Sequence, residues 1–432
     1  MSAPSCSASQ LQAATLAGSW TPHNATLPPY KLSKTEWRAM GLTGLKPGHD
    51  YGRCDRPARK RTLHDWTPSH CQLRALSHET FCSSHEFRGA HNLILFVGDS
   101  TVAQTFLSFA LLVNASFGRN DGMSVNTLFR ITASSCGGRV RLSFVRNDLL
   151  LWSVDPVTMQ HCLRCAASPG YANRFVEQAL VADYIVFGVG QHFARGVDQA
   201  APLQRSQVYD FYVRNLNLTL SEAARSARTV VLLGPSQPVP RCTAHSEPVR
   251  NLIEALNAEA EGSQQQTAYA PSWRHNSRLG MLGQWVASTL GVTFLNLAGL
   301  SIQRPDGAMG HRGGRGYEDC VHYCMPGVTD IFAQLVFLAL ESKETDGMMR
   351  QSPRRTNRIE AQGTVIETNW SRPATWYSRI ADQEWHSVRG VTKAIDCRSC
   401  HTFASHKRLL EAQKWRPPRG CWQTTPNNSD TV

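Results

Sequence analysis

The sequence predicts an α/β fold in which a central parallel sheet is covered by helices on both faces, three layers in all. Three observations carry this expectation. Short apolar runs at residues 93–97, 184–189, 229–233 and 292–297 have the length and character of strands buried on both sides. Amphipathic helical patterns at 173–181, 207–226, 248–260 and 278–290 alternate with them, the order that produces parallel strands joined by crossovers. A chain of 432 residues with 41% hydrophobic content can bury such a core and still carry smaller modules.

The first strand is the most informative element. Leu93-Ile94-Leu95-Phe96-Val97 runs into Gly98-Asp99-Ser100, where Gly98 permits a sharp turn and Asp99 can accept backbone hydrogen bonds within it. Val102, Phe106, Phe109, Ala110 and Val113 then recur at helical spacing. Ser100 therefore opens a helix, where unpaired N–H groups and the positive dipole end favour a developing oxyanion. An ordinary serine cap fits the same three letters. The later strands should release Gln191-His192 and Pro235-Ser236 at the same edge of the sheet, where ligands bind in open α/β folds. Arg146 and Asn147 follow another apolar run and carry no role in this reading. The proline-rich stretch 234–242 reads as a stiff wall.

A second string, Asp319-Cys320-Val321-His322, places a carboxylate and an imidazole three residues apart. In a tight turn or first helical turn both reach one point, so one ring nitrogen can face Ser100 while the carboxylate fixes the tautomer. Pro326 and Gly327 follow, and Val328, Ile331, Phe332, Leu335 and Leu338 mark an apolar helix face. His322 is thus expected in a loop just before a helix. A structural histidine between Cys320 and Cys324 is the alternative.

With these residues in place, the sequence resembles the trichome-birefringence-like proteins and their PC-esterase domain, within the broader SGNH acyl-esterase group. Gly98-Asp99-Ser100 and the stretch from Asp319 through Asp330 carry the likeness. Gly18-Ser19-Trp20, Tyr30, Cys54 and Trp66-Thr67-Pro68-Ser69-His70-Cys71-Gln72-Leu73 resemble that family's cysteine-rich N-terminal module. The likeness spans roughly residues 6 to 341. It implies an SGNH-hydrolase-like α/β/α domain and a lumenal O-acetyltransferase acting on polysaccharide or glycoconjugate. By position, Ser100 is the nucleophile, His322 the general base and Asp319 its orienting partner. Asp99, Gly190, Gln191 and His192 are the oxyanion or substrate candidates. Cys54, Cys71, Cys82, Cys320 and Cys324 are the disulfide candidates. Two departures stand out: Tyr323 follows the histidine where plant members have tryptophan, and Gly188-Val189-Gly190-Gln191-His192-Phe193 replaces an asparagine-threonine-glycine-histidine-tryptophan element.

The implied organisation is a cysteine- and tryptophan-rich module at 1–88, the catalytic domain at 89–342 and a basic linker at 343–364. Residues 365–432 then read as a truncated second copy of the first module. Trp370, Tyr377, Trp385, Cys400 and Trp415 through Cys421 echo Trp20, Tyr30, Trp37, Cys54 and Trp66 through Cys71. Coincidence among aromatic residues is the alternative.

Thirteen cysteines and five N-x-S/T sequons (Asn24, Asn114, Asn217, Asn369, Asn427) favour an oxidising lumen, that of the Golgi or secretory pathway. The chain shows no targeting signal and no membrane-spanning stretch. Family members are typically membrane-anchored, so a lumenal piece of a longer protein is expected. The net charge of +12 comes from scattered residues, the Gly-Arg stretch 310–316 and the segment 350–358. No recognition module accompanies them, so the expectation is a solvated basic surface able to attract acidic polysaccharide, with no nucleic-acid partner. The Gly-rich stretch before Asp319 reads as a mobile loop rimming the site. Cys162-x-x-Cys165 and Cys397-x-x-Cys400 have the ligand count of a zinc site, but they lie far apart, and disulfides are preferred. No metal and no tightly bound cofactor are expected. The partners are an acetyl donor, with acetyl-CoA as the candidate, and a glycan acceptor. A glycan acetyl-esterase with the same three residues and a non-catalytic glycan-binding relative are the competing readings.

Overall fold

A computed structural model describes residues 5–23, 30, 63–88, 91–118, 130–152, 175–200, 204–252, 254–257, 275–311 and 318–341, all within the compact unit Met1–Gly347. In chain order the elements are α1 (Ala8–Leu16), β1 (Gly18–Pro22), β2 (His64–Pro68), α2 (His78–Ser83), α3 (His85–Arg88), β3 (Asn92–Gly98), α4 (Ser100–Leu112), β4 (Ser116–Phe117), β5 (Arg130–Ser135) and β6 (Val140–Arg146). There follow α5 (Val176–Ala179), β7 (Tyr184–Gly188), α6 (Gln191–Gln199), α7 (Arg205–Ser226), β8 (Thr229–Leu233), α8 (Asn276–Thr289), β9 (Thr293–Leu295), α9 (Ala298–Ile302), β10 (Ala308–His311), β11 (Glu318–Tyr323) and α10 (Val328–Glu341).

The main sheet has seven strands in the order β4-β5-β6-β3-β7-β8-β9. The run β6-β3-β7-β8-β9 is parallel, and β5 and β4 close one edge antiparallel. The apolar runs form strands because neither face meets water. Ile94 and Phe96 point into one core with Val102, Phe106 and the apolar face of α10. Leu95 and Val97 point into the other with Tyr212, Leu216, Leu279 and Val286. This alternation along a single strand is what a doubly covered sheet requires. The α/β/α expectation holds, with the antiparallel edge as an addition to it.

Several boundaries differ from the sequence reading. The helix expected at 173–181 is the short α5, and the strand expected at 292–297 is only Thr293–Leu295. The chain turns into α9 at Ala298, where the Asn296 side chain accepts the Ala298 N–H. The loop expected around His322 is a strand: β11 pairs antiparallel with β10, with a register shift between Ala308 and Gly310. Of the Gly-rich stretch 310–316, Gly310 and His311 belong to β10 and not to a loop; its remaining residues, the linker at 343–364, the repeat at 365–432, Cys54 and both Cys-x-x-Cys pairs lie outside the described residues.

The N-terminal segments pack on the sheet domain. β1 and β2 pair with Trp20 opposite Trp66. Trp66 Nε1–H donates to Ala14 O at 2.7 Å, and Trp20 Nε1–H to Leu300 O at 3.2 Å. Gly18 is required there, because a Cβ would lie 2.6 Å from the Trp66 ring. Disulfides join Cys6 to Cys71 and Cys82 to Cys136. The Arg304 guanidinium stacks over Trp20 at 4.7 Å while its Nε–H donates to Asp306.

A buried polar knot completes this packing. Tyr30 O–H donates to Asp330 Oδ1 at 2.5 Å, and Asp330 Oδ2 accepts the Gly327 N–H that opens α10. Ser108 on α4 and Thr329 share a hydrogen bond beside them. Burial pushes the Asp330 carboxyl up to about 6. The folded state therefore holds this proton more tightly than the unfolded chain, whose aspartates titrate near pH ~3.9. Its contribution to stability is complete below about pH 4 and lost as pH rises through about 6, a change of about 3 kcal/mol. Asp330→Asn should remove that slope in urea unfolding across this window, and parallel pH profiles for the two proteins would contradict the assignment.

Candidate active site

Ser100 is the first residue of α4, directly beyond the carboxyl end of the central strand β3. Its own N–H has no acceptor within the helix, as at any helix start. Asp99 caps the helix: its Oδ1 accepts the Thr101 N–H at 2.8 Å and the Thr101 hydroxyl at 2.6 Å. This oxygen fixes the turn that presents the serine, so Asp99 acts as a cap and not as a donor to an oxyanion. The turn needs two glycines. A Cβ on Gly98 would lie 2.3 Å from the Gly188 carbonyl oxygen, and one on Gly188 would lie 2.5 Å from Val102.

His322 reaches this point from β11. Its Nε2 lies 2.7 Å from Ser100 Oγ, and its Nδ1 lies 2.9 Å from both oxygens of Asp319. Asp319 Oδ1 also accepts the N–H groups of Val321 and His322. In an ideal strand, residues three apart face opposite sides. This local turn around the carboxylate is what brings both side chains to one face. Because Asp319 only collects donors here, Nδ1 carries the ring proton and Nε2 is left to accept from the serine hydroxyl. The carboxylate is nearly buried, with its side chain 7% exposed, while the imidazole is 13% exposed.

Two attachments hold β11 in place. Gln104, one helical turn after Ser100, donates its Nε2–H to Tyr323 O at 2.5 Å and accepts the Tyr323 N–H at 3.1 Å through Oε1. On the other side a disulfide joins Cys320 to Cys242 at the end of the proline-rich loop, and the Thr243 hydroxyl donates to Glu318. Cys324 is also disulfide-bonded. Cys242, Glu318 and Cys320 come close enough to suggest metal ligands, but the two sulfurs are bonded to each other and offer no thiolate. Burial drives the Tyr323 phenol upward, and its O–H donates to Ser301 O.

The remaining candidates divide. Gly190 lies before α6, where a Cβ would meet Pro235 at 2.5 Å. Gln191, expected in a loop, begins α6. Its amide nitrogen donates to Ser236 O and Oγ, and its Oε1 accepts from Asn276. This side chain braces the loop after β8 and has no amide hydrogen left for an oxyanion. His192 Nε2 lies 3.1 Å from Asp148 Oδ2, in the segment beyond β6. Gln104 and Asp148 escaped the sequence reading. The signal for Gln104 was a polar residue four positions from Ser100 on an otherwise apolar helix; Asp148 gave none.

Residues 235–339 match the model of the PC-Esterase family, described as a GDSL/SGNH-like acyl-esterase family found in Pmr5 and Cas1p. The match includes Asp319 and His322 and begins after Ser100. No curated protein matches the chain. Among solved structures, the chain is similar to a catalytic mutant of Axe2, an acetylxylan esterase from Geobacillus stearothermophilus. The identity is 12% over 59% of this chain and 96% of that one, with a TM-score of 0.33. It is also similar to LAE5, an alpha/beta hydrolase enzyme from the metagenome of Lake Arreo, Spain, at 14% identity over 60% and 98%, with a TM-score of 0.32.

If Gln104 positions the histidine strand, Gln104→Leu should lower kcat for ester turnover by about 10- to 100-fold, since small misplacements of a base are costly. KM should change little, measured at a temperature where the variant is fully folded. A kcat equal to that of the wild type would show that β11 is held without it.

Proposed function

We propose that this chain, through its PC-esterase domain, is an O-acetyltransferase that carries an acetyl group on Ser100 and delivers it to a hydroxyl of a glycan. The 2.7 Å contact between Ser100 Oγ and His322 Nε2, with Nδ1 held by Asp319, carries this reading. Three side chains in this order are the parts that serine acyl chemistry uses.

In the first step His322 Nε2 takes the hydroxyl proton as Ser100 Oγ attacks the acetyl carbonyl. The carbonyl oxygen becomes the oxyanion, and the Ser100 N–H at the start of α4 lies where it can donate to it. The donor's leaving group departs with the proton from His322. In the second step His322 takes the proton of a sugar hydroxyl, whose oxygen attacks the acetyl carbonyl, and returns it to Ser100 Oγ as that bond breaks. Asp319 fixes the tautomer throughout and stabilises the imidazolium. The residues of the chain supply nucleophile, base and orienter, and the acetyl donor is a substrate. Water in place of the sugar gives an acetyl esterase with the same machinery, a reading that the family's description as acyl-esterases favours.

The described cystines support an oxidising compartment, the lumen of the secretory pathway. No described helix is long and apolar enough to cross a membrane.

Incubation with an activated acetyl ester followed by peptide mass spectrometry should place one acetyl group on Ser100. Ser100→Ala and His322→Ala should each lower turnover by about 10⁴-fold or more, with unfolding midpoints near that of the wild type. Adding glycan to the acetylated enzyme should move the label to sugar faster than to water. Acetyl release to water alone, whatever the glycan, would make the protein an esterase.

A further inference from the structure

The turn that ends the nucleophile's helix carries a sequence motif that acyl transfer does not use. α4 stops at Leu112 with Val113 as its cap, and the chain leaves through Asn114-Ala115-Ser116 into β4. Asn114 has a φ of 48°, in the left-handed region. The Ala115 N–H donates to Ala110 O at 2.8 Å, and the Asn114 N–H donates to Leu111 O at 3.1 Å. These two bonds make the Schellman closure of a helix, whose left-handed position takes glycine first and asparagine next. The turn accounts for an asparagine at 114. It places no demand on the residue two positions later.

The side chains around this turn alternate between core and solvent. Val113 is fully buried, and Ala115 and Phe117 pack against the same core, whereas Asn114 and Ser116 are exposed. The amide and the hydroxyl therefore face solvent on one side of the segment, as residues two apart do in extended chain. β4 is the outermost strand of the seven and pairs, among the described residues, with β5 alone. A bulky group on Asn114 thus leaves the domain at the rim of the sheet and not over a packed face. Ser100 lies at the opposite end of the 13-residue α4, about 20 Å away for a helix of this length.

Asn217-Leu218-Thr219 has the same pattern in opposite surroundings. It lies inside α7, where residues two apart point nearly opposite ways. Asn217 is half-buried, and Thr219 is fully buried with its hydroxyl donating to Leu150 O at 2.9 Å. Asn24, Asn369 and Asn427 lie outside the described residues.

We propose that Asn114 carries an N-linked oligosaccharide, attached in the lumen of the secretory pathway. The donor is a lipid-linked oligosaccharide diphosphate. Asn114 Nδ2 bonds to the anomeric carbon as that carbon's bond to the diphosphate oxygen breaks. The amide loses one proton, and the lipid diphosphate leaves with the bonding electrons. The Ser116 hydroxyl completes the acceptor motif, and the folded turn keeps the sugar outside the core. This modification is separate from the acetyl chemistry at Ser100 and rests on the lumenal reading of the cystines.

The test uses the whole chain, made behind a cleavable secretion leader in a eukaryotic host and recovered from the medium. Enzymatic release of N-glycans in heavy-oxygen water turns a glycosylated asparagine into a labelled aspartate, which peptide mass spectrometry locates. The label should fall on residue 114 in most of the secreted protein, while residue 217 stays asparagine. Ser116→Ala, which leaves the asparagine in its turn, should lose the label at 114. Asn114→Gly, which keeps the left-handed turn, should still be secreted and should be lighter by one oligosaccharide, separating loss of the sugar from loss of the fold. An unlabelled residue 114 in the secreted wild type, a label that survives Ser116→Ala, or occupancy at 217 equal to that at 114 would overturn the proposal. Free thiols at Cys242 and Cys320 in protein taken from its own cells would remove the lumenal premise and the proposal with it.

Discussion

Gln104 binds both backbone groups of Tyr323, a residue 219 positions away, and this pairing fixes β11 against the start of α4. The serine and the imidazole come from segments that the central sheet alone does not bring together. β11 belongs to a two-stranded sheet with β10, outside the seven-stranded sheet, so it needs attachments of its own. Gln104 supplies one from the nucleophile's helix, and the Cys242–Cys320 bond supplies another from the loop after β8. An amide that makes two hydrogen bonds in a fully buried place has few alternatives, because breaking them leaves unpaired groups in a dry interior.

The central strand imposes the complementary constraint. Gly98 and Gly188 let β3 and β7 approach with Val102 above them, and no side chain fits at either position. This close approach sets where Asp99 can cap α4, and the cap sets the direction in which Ser100 points. The N-terminal segment adds weight from below. Trp20 and Trp66 lock β1 and β2 together, and Tyr30 joins Asp330 at the first turn of α10. The residues that resemble a separate cysteine-rich module are thus packed into the same hydrophobic core as α4 and α10.

Much of this was legible in the sequence where a local rule was strong. Leu93 through Ser100 combine an apolar run, a glycine, a capping aspartate and a helical pattern, and each cue agrees with the others. Asp319 and His322 were legible as a pair because their spacing suits a shared turn. The strand that holds them was not, since β10 and β11 are short and lack an alternating pattern: Asp319 and Cys320 are both buried on β11. Gln191 illustrates a different limit. Its position at a strand end is legible, but its partners, Ser236 and Asn276, come from two later elements that only the tertiary fold brings near. Asp148 was invisible for the same cause. A carboxylate two residues after a strand is commonplace until a histidine from the far side of β3 closes on it.

The central claim is that Asp319 and β11 hold His322 with its proton on Nδ1 and its lone pair turned to Ser100. Nitrogen NMR of the His322 ring in the neutral state tests this directly. The account predicts a protonated, slowly exchanging Nδ1 and an unprotonated Nε2 whose resonance moves in Ser100→Ala while Nδ1 stays put. A proton on Nε2, or a ring averaging rapidly between both tautomers, would contradict it.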